Sequence, residues 1–138
     1  MKAISLWQPW ASAIALGHKR IETRHWSTSY RGPIAIHAAK RWTRDERDYA
    51  DAFAHFMPMP HGYPLGSIVA TATLYDVRRT EVLAPMISAR EDQLGNYSPE
   101  RFGWLLGDIQ ALAIPIPFLG RQGLFDIPDD LIARPTTN

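Results

Sequence analysis

The stretch that most constrains this chain is residues 3–40, AISLWQPWASAIALGHKRIETRHWSTSYRGPIAIHAAK. Ala3–Trp7 alternates, with Ile4 and Leu6 on one face and Ser5 and Trp7 on the other, which is the period of a strand. Pro9 suits the first turn of a helix, where its missing N–H would be unpaired anyway. Ala11, Ala13, Ile14 and Leu16 fill a short helix, and Gly17 can adopt the left-handed conformation that stops it. Residues 18–25 alternate again, with Lys19, Ile21 and Thr23 on one face and Arg20, Glu22 and Arg24 on the other. Ser27–Gly32 reads as a loop. A strand Pro33–Ala39 follows, with Ile34, Ile36 and Ala38 on one face and Ala35, His37 and Ala39 on the other. The small alanines beside His37 leave room for something to approach that face.

The remainder reads as scaffold for this segment. Thr43-Arg44-Asp45-Glu46 is a capping box, and Tyr49, Phe53 and Phe56 at helical spacing predict a buried stripe on a helix running to about Met57. Ser67–Val77 is the longest strand signal. Residues 79–101 carry helical pieces near 80–84 and 86–92 and a loop from Gly95 to Pro99, as a lid over a cleft or as a surface insertion. Phe102–Ala113 returns to strand, with Gly103 and Gly107 at expected bulges. Pro115, Pro117, Gly120 and Gly123 suit an edge segment and turns. A strand Leu124–Ile127 and a polar tail close the chain. Five or six strands interrupted by two or more helices predict an α+β fold, a small mixed β-barrel with flanking helices, in one domain over 1–138.

The net charge of +1 conceals an asymmetry. Residues 1–44 hold eight Lys or Arg and one acid, Glu22, whereas the rest holds seven basic and thirteen acidic side chains. Four of the five tryptophans, at 7, 10, 26 and 42, lie in the basic third. Cations for phosphate interleaved with rings for bases are what a nucleic acid or nucleotide requires, although charge clustered on a solvated face has the same composition. The chain has no cysteine, which excludes disulfides, thiolate metal sites and a cysteine nucleophile. His55 and His61 lack metal-ligand spacing, so neither a metal nor another cofactor is expected. No apolar run approaches the roughly 20 residues of a membrane span, and the opening residues lack a signal-peptide core. These features predict a cytoplasmic protein without membrane association.

Three constellations carry the chemistry. Lys19, Glu22 and Arg24 combine an amine and a carboxylate that shift each other's proton affinity when partly buried; an ion-pair network and a working site both fit them. Glu22 and Arg24 share a strand face, whereas Lys19 joins them only if the preceding helix end or a bulge twists the segment. Trp7, Gln8 and Trp10 flank a strand-to-helix corner, where Gln can read a base edge and Trp can stack on a base. The alternative is that both rings plug the core; the expectation is one buried and one exposed. Tyr30, His37 and Lys40 supply an acid, a base and a phosphate clamp suited to RNA cleavage, against the plainer reading of His37 as a hydrogen-bonded strand residue. Gly120-Arg121-Gln122-Gly123 reads as a turn.

The blocks QPWA, G-x-K-x-x-E-x-R, W-x-T-x-x-R-G and a strand ending IHAAK together resemble the opening of ASCH domains (activating signal cointegrator 1 homology), within the PUA-like superfamily. Gly66–Asp76, FGWLLGDIQAL and PIP…GRQGLF are consistent with the same family, so the resemblance spans nearly the whole chain. It implies a barrel of five or six strands with helices beside it and a cleft, and an association with RNA or nucleotides. Carried onto this sequence, it nominates Gln8, Trp10, Lys19, Glu22 and Arg24 in the cleft and Trp26, Tyr30, His37 and Lys40 on its rim. Relatives also include amidohydrolases that deacylate a modified cytidine with a Lys and a Thr three residues later. Here Lys19 is followed by Glu22 at that place, and Thr23 falls one residue late. A ribonuclease activity is ascribed to a bacterial member.

The expected function is therefore binding of RNA or a modified nucleotide, with DNA as a further partner. The alternative is hydrolysis by Lys19 and Glu22 of an acyl group on a nucleobase, or cleavage of RNA. Oligomeric state is not set by the sequence.

Overall fold

The computed structural model describes residues 1–132, and the expected polar tail from 133 onward lies outside them. The elements run β1 (Lys2–Leu6), α1 (Trp10–Ala15), β2 (Ile21–Arg24), β3 (Gly32–Ala38), α2 (Arg44–Phe53), β4 (Ser67–Arg79), α3 (Thr80–Leu83), α4 (Ala89–Leu94), β5 (Phe102–Pro117) and β6 (Leu124–Asp126). The strands form one mixed sheet in the order β2-β5-β4-β3-β1-β6. β1 and β3 are parallel and every other neighbouring pair is antiparallel. This is the expected small α+β barrel, as an open, strongly curled sheet.

The curl is visible in one hydrogen bond. Three strands separate β2 from β1 in the sheet, yet Arg24 of β2 donates from its guanidinium to the carbonyl of Ser5 in β1 at 2.7 Å. Only a sheet rolled nearly onto itself can bring those strands together. The concave face holds the main core, with Ile4 and Leu6 of β1, Ile34 and Ile36 of β3, Leu74 of β4 and Trp104 of β5 packed around Ala11 and Ile14 of α1. On the other face Ala3, Ala35, Ile68, Phe125 and Ile127 form a smaller cluster. The alternating strands thus bury both sets of apolar side chains, one on each face.

Several local expectations hold. Gly17 has φ +82° and ends α1. The box at α2 forms, with the Thr43 amide and hydroxyl both donating to the buried Glu46 carboxylate at 3.2 and 2.7 Å. Others are corrected. The buried side of α2 is Glu46, Ala50 and Phe53, and the helix ends there rather than at Met57. Tyr49 is displaced to the flank and is 51% exposed. The β4–β5 register slips at three places, between Ala111 and Ile116, at Asp108 (φ +47°) next to Gly107, and at Tyr75 opposite Leu105–Leu106, but not at Gly103. β5 continues through Pro115 and Pro117 where only β4 flanks it, β2 ending its pairing at Leu105; Pro115 falls in the slip between Ala111 and Ile116, and Pro117 closes the strand opposite Ser67.

His37 departs most from expectation. The space beside it is filled by the 118–123 turn, and the ring is buried between Ser5 Oγ at 2.8 Å and the Phe118 carbonyl at 2.7 Å. Burial lowers its pKa below the ordinary histidine value, against the opposing pull of the Phe118 carbonyl. A Cβ on Gly120 would lie 2.5 Å from His37 Cε1, so the turn can close over the ring only with glycine there.

Gly103 serves packing instead of a bulge. A Cβ there would stand 2.3 Å from Leu83 Cδ1 and 3.0 Å from Ile21 Cγ2. Gly103→Ala is therefore expected to lower stability by about 1–3 kcal/mol through overpacking between α3 and β2. Urea unfolding checks this, and a change within error of wild type would show that α3 is loosely seated.

A candidate nucleic-acid site at the sheet seam

The seam between β1 and β2 is where the chemistry-bearing residues gather. Gln8 is fully buried at the corner after β1. Its Oε1 accepts from the Ser12 amide at 2.8 Å, and its Nε2 donates to Ser12 Oγ at 2.7 Å and the Pro64 carbonyl at 3.0 Å. Its donors and acceptor are spent on holding α1 to the loop before β4. The expected base reader is a structural residue facing inward. Trp7, 51% exposed, projects outward with the Arg41 guanidinium 4.2 Å from its ring centroid. Trp10 is half-buried, packed on Tyr49 and Phe53 of α2. One ring is thus mainly in the fold and one mainly outside it.

Lys19 lies in the turn before β2, which removes the opposite-face problem of an ideal strand. It is 1% exposed. Its Nζ donates to the Leu94 carbonyl at 2.9 Å and lies 3.6 Å from Glu22 Oε1. Burial lowers its pKa, opposed by the nearby Glu22 and Glu91 carboxylates. Glu22, 12% exposed, also accepts from Arg24 Nε at 3.1 Å and stands 3.0 Å from its second guanidinium nitrogen. The trio is therefore one network, with the carboxylate between two cations and the lysine beneath.

Residues 79–101 supply the facing wall. The Asn96 amide donates to Thr23 Oγ1 at 3.0 Å, and Arg101 donates to the carbonyls of Asn96 and Thr23 at 3.2 and 3.3 Å. The Arg20 amide donates to Glu91 Oε2 at 2.8 Å. Glu91 Oε1 and the Tyr97 hydroxyl are buried nearby without hydrogen-bond partners among the described residues, and burial pushes the Tyr97 phenol up.

A cleft of about 510 Å³ opens between this wall and α1. It is lined by the aromatic residues Trp7, Trp10 and Tyr49, by Glu22, Arg24, His25 and Arg101, and by Gln93 and Asn96. Its size falls in the range of about 300–1,000 Å³ typical of small-ligand pockets. A second depression of about 780 Å³ shares Ser5, Trp7, Arg24 and His25 with it and continues over Trp26, His37, Lys40 and the 118–123 turn.

Of the expected residues, Trp10, Glu22 and Arg24 line the cleft, and Trp26, His37 and Lys40 line the neighbouring depression. Lys19 and Gln8 lie behind these surfaces. Tyr30 lines neither, and its hydroxyl donates to the Pro33 carbonyl. The Tyr30, His37 and Lys40 set does not converge. Tyr49, which the sequence assigns to a buried helix stripe, and His25, Gln93, Asn96 and Arg101, which no motif marks, line the cleft as well. Among the described residues, no cluster of three or more His, Asp or Glu could hold a metal ion, and no helix is long and apolar enough to cross a membrane.

A family model for the ASCH domain matches residues 4–110. This chain belongs to the ASCH-domain family. The family is linked in general with RNA. The chain is 28% identical to human activating signal cointegrator 1 over 133 aligned positions, covering 90% of this chain. The mouse protein of that name is 26% identical over the same length. This chain spans 22% of the length of either relative. Among solved structures, ASCH from Zymomonas mobilis superposes with a TM-score of 0.58 at 21% identity, over 94% of this chain and 89% of that one. A tyrosine-to-phenylalanine mutant of the Zymomonas protein gives 0.57 at the same identity, over 94% of this chain and 91% of that one. These likenesses agree with the curled sheet and its helices.

The buried lysine sets an asymmetry that can be measured. Glu22→Leu strands the Lys19 charge and is expected to cost about 3–5 kcal/mol, whereas Lys19→Met, which leaves Glu22 its Arg24 partner and orphans the Leu94 carbonyl, should cost only about 1–3 kcal/mol. Because the native Lys19 pKa lies below 10.5, the unfolded chain binds the extra proton between the two values. Wild-type stability should therefore gain a rising contribution with pH in that window, and Lys19→Met should lack it. Denaturant unfolding from neutral to alkaline pH checks both; equal losses in the two variants would refute the assignment.

Proposed function

We propose that this ASCH domain binds RNA or a modified nucleotide, with a base held in the seam cleft. The observation that carries the reading is the lining of that cleft. Three aromatic residues, Trp7, Trp10 and Tyr49, stand around a cavity whose polar lining includes Gln93, Asn96, Arg24, Arg101, His25 and the carboxylate residue Glu22. Aromatic faces stack on any base, and side-chain amides discriminate among base edges by paired donors and acceptors. Asn96 Oδ1 is engaged by the Ser98 amide and hydroxyl, which leaves its NH2 to donate to a ligand. Gln93, exposed on α4, takes the base-reading role the sequence suggested for Gln8. Arg24 and Arg101 add positive charge, moderated by Glu22, so the cleft suits the polar edge of a base better than a phosphate.

A DNA strand offers the same kinds of base edge and lacks the 2′-hydroxyl. Matched RNA and DNA oligonucleotides therefore measure what that group contributes.

The hydrolytic reading has one observation in its favour: a lysine of lowered pKa sits directly behind a carboxylate that lines the cleft. Against it, the Lys19 amine faces the Leu94 carbonyl rather than the cavity, and the Thr23 hydroxyl accepts from the Asn96 amide. Binding without turnover is the reading we prefer. Mass spectrometry of RNA and its nucleosides after incubation should show no wild-type-dependent change. An acyl mass removed by wild type but not by Lys19→Met would replace binding with hydrolysis.

The binding reading makes its own demand on the rings. Tyr49→Ala and Trp7→Ala, both at half-exposed positions, are each expected to weaken single-stranded RNA binding by about 1–3 kcal/mol, the contribution of one stacked base. Fluorescence anisotropy with labelled RNA measures this; unchanged affinity in both variants would remove the cleft from the argument.

A further inference from the structure

We propose that the second depression is a phosphodiester subsite, so that the ligand of this domain is a single strand of two or more nucleotides rather than a free nucleoside. The inference rests on the base-binding reading of the first cleft and extends it along the strand.

Charge separates the two cavities. The first contains Glu22, whose carboxylate is 3.0 Å from the Arg24 guanidinium and would repel a phosphate placed beside it. The second has no Asp or Glu in its lining among the described residues. It has Lys40 and Arg121, both exposed and neither in an ion pair among the described residues, with His25 beside them and Arg24 at the boundary. A third cavity, along α2, shows the contrast: Arg44 and Arg47 there stand with Asp48 and Asp51. At the seam depression Lys40 and Arg121 instead stand without a carboxylate partner among the described residues, and Arg24, at its boundary, is paired with Glu22.

The basic groups are also held in place. The Lys40 stem lies across Gly66, where a Cβ would come within 2.9 Å of Lys40 Cγ. Gly66 has φ +59°, so both its backbone and the lysine it seats favour glycine. Arg121 sits in the Gly120–Gly123 turn, which is fixed from below by the closeness of Gly120 to His37 and by the bond from His37 to the Phe118 carbonyl. Gly123, φ +69°, completes the turn. The sequence marks this GRQG segment as a turn; the fold makes that turn the lip of a basic depression.

Continuity supplies the direction. Ser5, Trp7, Arg24 and His25 belong to both cavities, so a base in the first leaves its flanking backbone at the entrance of the second. Trp26, half-buried and set edge-to-face on Trp104 at 4.8 Å, offers a further apolar surface there. The arrangement resembles a general solution for single strands, in which a ring takes the base and nearby cations track the backbone.

The test uses the full chain, labelled hexanucleotides of A, C and U, and the matching free nucleosides. The variants are the double substitution Lys40→Gln with Arg121→Gln, and Tyr49→Ala. In wild type the hexanucleotides should bind more tightly than the nucleosides, with affinity falling as salt rises. The double variant should weaken hexanucleotide binding severalfold and flatten the log–log salt slope by about 0.7 for each phosphate no longer neutralised. It should leave nucleoside binding unchanged, whereas Tyr49→Ala weakens both ligands. If the double variant keeps the wild-type affinity and slope while Tyr49→Ala still weakens binding, the subsite is refuted and the base cleft stands. If wild type binds no hexanucleotide at low salt, both readings fall.

Discussion

The buried ammonium of Lys19 is the constraint around which the site is arranged. A charge this deep must be met by partners, because an unpaired cation away from water costs several kcal/mol or gives up its proton. Two partners come from different parts of the chain: Glu22 at the sheet edge and the Leu94 carbonyl at the end of α4. The lysine therefore ties α4 to β2, and with it the wall that carries Gln93 and Asn96. Its backbone amide is also engaged, donating to the Ala13 carbonyl in α1. One residue thus joins the helix, the edge strand and the wall that together bound the cleft.

The second tie lies across the seam. Arg24 reaches from β2 to the Ser5 carbonyl, and the Ser5 hydroxyl in turn meets His37. From His37 the path continues to the Phe118 carbonyl, which fixes the turn over the second depression. The hydrogen bonds that curl the sheet are therefore continuous with those that shape its rim. Neutral histidine suits this position, because the ring is desolvated under a glycine turn and set edge-on against Phe125.

Much of the scaffold was legible because its signals are local. The alternation of Ile4 and Leu6, of Ile34 and Ile36, and of Ala72 and Leu74 marks strands that bury a defined face, and these residues meet in one core. Thr43 and Glu46 cap a helix through neighbours three positions apart, and Gly17 stops one through its own backbone. The site was less legible because it depends on distant partners. Gln8 is taken inward by Pro64, fifty-six positions away. Tyr49 fits a helical stripe, but α2 turns Ala50 and Glu46 inward instead and leaves the ring beside Trp10. Gln93 and Asn96 lie in a stretch without clear periodicity, and they reach the cleft through long-range bonds: Asn96 to Thr23, the neighbouring Leu94 carbonyl to Lys19, Glu91 to Arg20, and Arg101 to Thr23. The family motifs nominate residues around one seam, and of these Trp10, Glu22 and Arg24 line its cleft whereas Gln8 and Lys19 lie behind it.

The same geometry separates recognition from chemistry. For Lys19 to reach an acyl group in the cleft, its amine must leave the Leu94 carbonyl, and the wall from Gln93 to Asn96 must lift. That motion breaks the bond from the Asn96 amide to Thr23 and disturbs both Arg101 hydrogen bonds, exposing polar groups that are satisfied in the closed form. On the proposed binding reading a stacked base demands none of this, since Trp7 and Tyr49 are each 51% exposed, with Arg41 over one side of the Trp7 ring and Trp10 beside Tyr49. On that proposed reading, the resting arrangement suits a ligand that inserts without moving the wall. Catalysis by Lys19 would need a second arrangement stabilised by the substrate's own binding energy.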